Sequence, residues 1–198
     1  MYIFCNKGCG IMERLSIKLT NYILAKGVIE ESEYEIYQYG FQRFLELAIN
    51  IMCSIIIAVF LDMKFECIVF FLFFIPVRSY TGGFHMEHYI SCLLLSCLSL
   101  AGILLIVKYF PAAPLSSCIL YFFSLAVIKA IGPVDHPNRI VNKEDNLFFR
   151  KRANTILLIS LIIFLVLLLS NITRYLLLEA LVFTLISISL IIGKIQYS

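Results

Sequence analysis

Apolar residues fill this chain in long runs separated by short polar stretches, a pattern that fits membrane-crossing helices and not the alternating surface of a soluble domain. The long runs are residues 44–61, 90–107, 115–131, 153–170 and 175–193, with a shorter one at 65–77. Each long run approaches the roughly twenty residues that a helix needs to cross hydrocarbon. The short run contains Pro76, so it predicts a span broken before Gly82-Gly83, with non-helical backbone at membrane depth. Lipid tolerates such backbone only against protein or a wet cavity, and the break therefore predicts a cavity at residues 78–85.

Ahead of these runs, residues 10–27 repeat Ile11, Leu15, Leu19, Tyr22 and Ile23 at helical spacing, with Glu13, Lys18 and Lys26 between them. That is the pattern of an amphipathic helix on a membrane surface, or one packed on the cytoplasmic end of a bundle. Gly27 is placed to end it, and residues 30–35 form an acidic connector. The fold class that follows is all-α: a polytopic membrane protein of about six transmembrane or partly re-entrant helices plus the N-terminal surface helix. One domain covers residues 1–198, with its bundle at 44–193. Glu46 falls near one end of the first span and Asn50 further in, while Glu179 lies within about a turn of the last span's start and is expected at the surface.

Composition sharpens this picture. The 198 residues are 61% hydrophobic and 15% charged, with a mean hydropathy of +0.94. A net charge of +3 does not indicate nucleic acid, because Lys and Arg stand where spans end. Placing both termini in the cytoplasm leaves only Lys64, Lys108 and Arg174 outside, which satisfies the excess of basic residues on the inner face. The 78–92 and 133–152 segments then both face the cytosol. Seven cysteines, an odd count lying mostly inside apolar runs, argue against a disulfide framework. Cys5 and Cys9 lack the rest of a ligand set, so no metal and no cofactor are expected. The N-terminus has no short apolar core with a small-residue cleavage site, and no removable signal peptide is expected.

Chemistry concentrates between Arg78 and Cys92, where Gly82-Gly83 loosens the backbone and His85, Glu87, His88 and Cys92 supply bases, a carboxylate and a thiol. A cysteine becomes a nucleophile when a neighbouring base takes its proton. His88 is one helical turn from Cys92, whereas His85, seven residues away, reaches it only if the chain folds back at the glycines. Spacing alone favours His88. The remaining spans' cysteines, Cys53, Cys67, Cys97 and Cys118, read as small apolar fillers. A metal-dependent protease using His85, His88 and Asp135 or His136 lacks any His-Glu-x-x-His pattern. A transporter or scaffold without peptidase chemistry also accounts for the spans and the broken helix, and solute transport by the Cys92→Ala protein would favour it.

Arg78, then Gly82-Gly83-Phe84-His85, then Cys92 at a cytoplasmic face resembles the accessory gene regulator protein B (AgrB) family of bacterial membrane cysteine endopeptidases. Residues 132–139, Gly-Pro-Val-Asp-His-Pro-Asn-Arg, resemble that family's second signature loop, with Ile140 where a proline is expected. The resemblance implies His85 as base and Cys92 as nucleophile, with Arg78, Gly82, Gly83, Glu87, His88 and Asp135 in substrate-binding or supporting roles. It further implies a precursor peptide with an amphipathic leader, an internal cysteine and an acidic tail, cleaved to release a thiolactone-closed pheromone for quorum sensing. The leader is expected beside the 10–27 helix, and the tail against Arg139, Lys143, Arg150, Lys151 and Arg152, unless those residues serve only the inside-positive bias. A homodimer in the bacterial cell membrane completes what the resemblance implies.

Overall fold

The structure, a computed structural model, describes residues 10–82, 89–132 and 143–197. Every regular element among them is helical: α1 (Gly10–Ala25), a 3-10 turn (Glu31–Glu33), α2 (Tyr34–Phe60), α3 (Lys64–Thr81), α4 (Tyr89–Tyr109), α5 (Pro114–Ile131), α6 (Lys143–Leu169) and α7 (Thr173–Tyr197). Five segments are long and apolar enough to cross a membrane: Glu31–Phe60, Tyr89–Tyr109, Pro114–Ile131, Arg150–Leu169 and Thr173–Gln196. Large apolar side chains such as Phe60, Phe123, Leu158 and Leu169 point outward along them, as lipid-facing residues do. The chain is an all-α polytopic membrane protein.

The structure departs from the sequence reading at α3, at the acidic connector and, within α7, at Glu179. The break expected at Pro76 does not occur, because α3 runs through it to Thr81. A membrane helix can hold a proline where its neighbours tolerate the missing N–H, and α3 continues for five residues past Pro76. The 18 residues of α3 span about 27 Å, close to the hydrocarbon thickness of about 30 Å. The acidic connector is also shorter than expected, since Glu31–Glu33 forms a 3-10 turn that leads directly into α2 at Tyr34.

Two compact units compose the chain, one of residues 3–57 and 86–98 and the other of residues 58–85 and 99–198. In the first, α1 turns Ser16 and Thr20 inward while Leu15, Leu19 and Tyr22 are exposed. Tyr34 Oη donates to Asn21 Oδ1 at 2.8 Å and ties α1 to α2. At about 40 Å, the 27 residues of α2 exceed the hydrocarbon thickness, so one end must leave it. The N-terminal turns, with Tyr37, Gln38, Tyr39, Gln42 and Arg43, have the amphipathic composition that an interface favours.

In the second unit α7 is the central post: 61% of its span is buried, against 28% for α5 and 22% for α6. Tyr121 stacks on Phe164 at 3.9 Å and lies 4.9 Å from Phe183, which joins α5, α6 and α7 through their rings. Glu179, expected at the surface, is fully buried here. Because α7 begins at Thr173, the residue lies nearly two turns in, on the face toward its neighbours. Ser160 Oγ donates to Glu179 Oε1 at 2.6 Å, Tyr121 Oη shares a hydrogen bond with Ser160 Oγ at 3.0 Å, and Ser124 Oγ pairs with Thr184 Oγ1 at 3.1 Å. Glu179 Oε2 makes no hydrogen bond among the described residues.

Three chain reversals share one construction. Val28, Met63 and Ile172 each donate to the carbonyl five residues back, at 3.1, 2.8 and 3.0 Å. The residue before each, Gly27, Asp62 or Asn171, has φ of +66°, +57° or +55°. This is the Schellman cap, and it makes short turns that satisfy the last carbonyls of a helix. Arg174 and Glu66 close the ends of α7 and α3 together with an ion pair at 2.7 Å, while Lys108 Nζ donates to the Leu61 carbonyl at 2.7 Å.

Ser160→Ala is expected to lower unfolding stability by about 1–3 kcal/mol, because it strands the buried Glu179 carboxyl. Adding Glu179→Leu should recover part of that loss, since the stranded group is then gone. Denaturant unfolding of the purified protein in detergent reads both; equal losses in single and double variants would show that the Ser160–Glu179 bond does not hold the unit.

Candidate active site

Two helix ends are built differently from the tight turns, and both open the segments that the sequence singled out. α3 stops at Gly82 and α5 at Gly132, each with φ +71° and with ψ of −147° and −169°. That combination is open to glycine and costly for any residue with a Cβ. A Cβ on Gly132 would meet nothing within 4 Å, so the backbone angle alone requires glycine there. Each glycine donates its N–H to the carbonyl four residues back, Arg78 or Ile128, at 3.0 Å. Arg78 also donates through Nη1 to the Gly82 carbonyl, so its side chain and backbone grip the same residue. Its charge belongs to the last turn of α3, where a cation complements the helix dipole.

Both exits share a crevice in the second unit. Thr81 and Gly132 line it with Lys129, Arg150 and Asn154, so the two loops leave from one place beside the early turns of α6. Arg150, Lys151 and Arg152 are all exposed there on α6. Of the sequence-stated candidates, Gly83, His85, Glu87, His88, Asp135 and Arg139 lie outside the described residues, and so does the side chain of Lys143.

The thiol stands in the first unit. Cys92 occupies the first turn of α4 and is half-buried; like Cys53, Cys67, Cys97 and Cys118, it forms no disulfide. The start of α4 is anchored by Tyr89, whose Oη donates to the Glu46 carbonyl of α2 at 3.1 Å. Glu46 is nine-tenths buried. Its carboxylate takes Arg43 Nη1 at 2.8 Å and Gln42 Nε2 at 3.0 Å, and the Arg43 guanidinium lies 5.1 Å from the Tyr39 ring. A polar cluster on α2 thus holds the helix that carries the thiol, one turn before it. The sequence reading placed Glu46 near a span end but missed this link, for which the available signal was Tyr89, three residues before Cys92.

What these features define is a polytopic helical membrane protein with a free thiol at the start of a span and two glycine-opened loops. The chain belongs to the accessory gene regulator B family, whose model matches residues 16–196, from within α1 to the last turn of α7. A protein of Halalkalibacterium halodurans named AgrB-like is 27% identical over 154 residues, covering 77% of this chain and 76% of its own. One of Clostridium perfringens with the same name is 24% identical over 141 residues, covering 68% and 66%. No solved structure matches this chain. Membership supports a membrane protein with a role in accessory gene regulator peptide processing.

Gly82→Ala and Gly132→Ala are each expected to cost about 1–3 kcal/mol of stability from backbone strain, and at Gly132, where a Cβ meets nothing within 4 Å, crowding adds nothing. Comparing each with the matching glycine-to-serine change, by thermal unfolding in detergent, checks this. Losses that scale with side-chain size would point to crowding instead.

Proposed function

We propose that this chain is a membrane cysteine endopeptidase that removes the acidic tail of a small precursor peptide and passes the remainder on as a thioester. The observation that carries the proposal is the free Cys92 thiol in the first turn of a span, in a chain of the accessory gene regulator B family. Six residues join Gly82 to Tyr89, and they include both candidate bases. His85 takes the catalytic part and His88 an auxiliary one, the assignment that the family pattern supports.

In the proposed reaction His85 removes the Cys92 proton, the sulfur attacks the carbonyl joining pheromone segment and tail, and the proton passes to the leaving amine. An acyl-enzyme thioester remains. The precursor's own cysteine then attacks that carbonyl, exchanging one thioester for another of similar energy and releasing a closed thiolactone. Water must be excluded for this exchange to outrun hydrolysis.

Binding of the precursor draws on surfaces outside that centre. The leader lies along α1, whose exposed Leu15, Leu19 and Tyr22 suit an interfacial position. The tail meets Arg139, Lys143 and the exposed Arg150, Lys151 and Arg152, with Asp135 helping to shape the second loop. All six long helices, α3 included, cross the membrane in this reading, both termini are cytoplasmic, and two copies pair as a homodimer.

Membranes carrying the wild-type chain, Cys92→Ala, His85→Ala or His88→Ala, incubated with the precursor, test the assignment by mass spectrometry of the products. Cys92→Ala and His85→Ala are expected to abolish tail release, while His88→Ala retains it within about tenfold. A dead His88→Ala beside an active His85→Ala reverses the base assignment. Release that a chelator stops and a thiol reagent does not would replace cysteine chemistry with metal chemistry.

A further inference from the structure

Asn50 is a polar residue that neither the packing nor the proposed chemistry has used. It lies within the Glu31–Phe60 span and is half-buried. Its backbone carbonyl accepts from Ser54 Oγ at 2.8 Å, but its carboxamide makes no hydrogen bond among the described residues. An amide left without partners in an apolar span is costly, and such groups mark sites of function more often than of packing.

Two contacts within the first unit fix its height relative to Cys92. Tyr89 Oη bonds the Glu46 carbonyl at 3.1 Å, and further along the same helices the Cys97 and Cys53 side chains lie against each other. Both contacts advance in the chain direction, so α2 and α4 run parallel here. Eight residues of α4 match seven of α2, which brings Cys92, three past Tyr89, alongside about residue 49. Asn50 follows Glu46 by four residues and precedes Cys53 by three, so it shares the face of α2 that meets α4. Cys92 shares the face of Tyr89 by the same rule. The neighbouring residues of that turn, Leu47, Ala48 and Ile49, offer no side-chain donor.

We propose that Asn50 is the oxyanion donor for acyl transfer at Cys92, an inference that rests on the cysteine-peptidase reading above. As the sulfur bonds to the scissile carbonyl carbon, the carbonyl π pair moves onto oxygen, and Asn50 Nδ2–H hydrogen-bonds that oxygen while its charge develops. When the pair returns, the C–N bond breaks, the tail's amine leaves with the proton from the base, and the thioester remains. The same donor serves again when the precursor's cysteine attacks the thioester. A side-chain amide in an apolar span suits this work, because a donor already fixed in a dry site stabilises a developing anion without reorganising water.

Wild type, Asn50→Ala and Asn50→Asp are compared by two readouts in detergent. One is kcat and KM for tail release. The other is the rate of Cys92 alkylation by iodoacetamide, followed at that residue by mass spectrometry. Alkylation displaces iodide from a saturated carbon and forms no oxyanion. Both variants are expected to lose about 10²–10³-fold in kcat with KM held near wild type, and Asn50→Ala, which adds no charge beside the thiol, is expected to keep the wild-type alkylation rate. Unchanged kcat overturns the proposal. So does a parallel fall in alkylation in both variants, which would make Asn50 a packing residue or an orienter of the base. Continued tail release by Cys92→Ala would instead remove the peptidase reading beneath it, an outcome separate from either.

Discussion

A carboxyl group inside a membrane bundle is tolerable only where neighbouring helices bring it hydrogen bonds, and Glu179 sets that condition on the second unit. Ser160 reaches it from α6, and Tyr121 reaches Ser160 from α5, so one buried acid fixes the rotation of three helices. Between helices in lipid there is little hydrophobic driving force, which leaves packing and such bonds to choose the arrangement. In that arrangement Tyr121 also stacks on Phe164 at 3.9 Å. With α5 and α6 fixed on α7, the end of α5 at Gly132 and the early turns of α6 at Arg150 line one crevice, which Thr81 of α3 joins.

Helix ends divide the molecule's work. Where the chain has only to reverse, a Schellman cap at Gly27, Asp62 or Asn171 satisfies the last carbonyls within three residues. Where a polar loop must leave, glycine at φ +71° releases the chain in an extended direction, and at α3 Arg78 binds the carbonyl of that glycine. Arg78 thereby holds the glycine that ends α3 through both its backbone and its side chain. The first unit anchors the helix that carries Cys92 by another route, through the Tyr89 bond to α2 and the paired Glu46 beneath it.

The long runs of apolar residues made the class of fold and most helix positions legible, because length and hydropathy are what a bilayer selects for. The turns at 62–64 and 171–174 were legible for the same reason: nothing longer fits between adjacent spans. Pro76 misled, since the rule that proline breaks helices is weaker inside a membrane bundle, and α3 runs through it. Glu179 misled because its depth was counted from Tyr175, whereas α7 starts at Thr173 and turns that residue inward, and no single-helix pattern reports which partner faces it. At the site, the thiol and the glycines stood out by chemistry alone. The Tyr89–Glu46 link and the register of Asn50 did not, because they depend on which two helices lie side by side, a relation that spans more than forty residues of sequence.

The claim on which the account turns is that Cys92 forms a covalent thioester with the precursor. Brief incubation of the purified chain with precursor, acid quenching and intact-mass analysis tests it directly. The account predicts an adduct of the precursor lacking its tail, located on Cys92 after digestion and removed by hydroxylamine. Tail release with no such adduct under any quenching time, or an adduct on another residue, would contradict it.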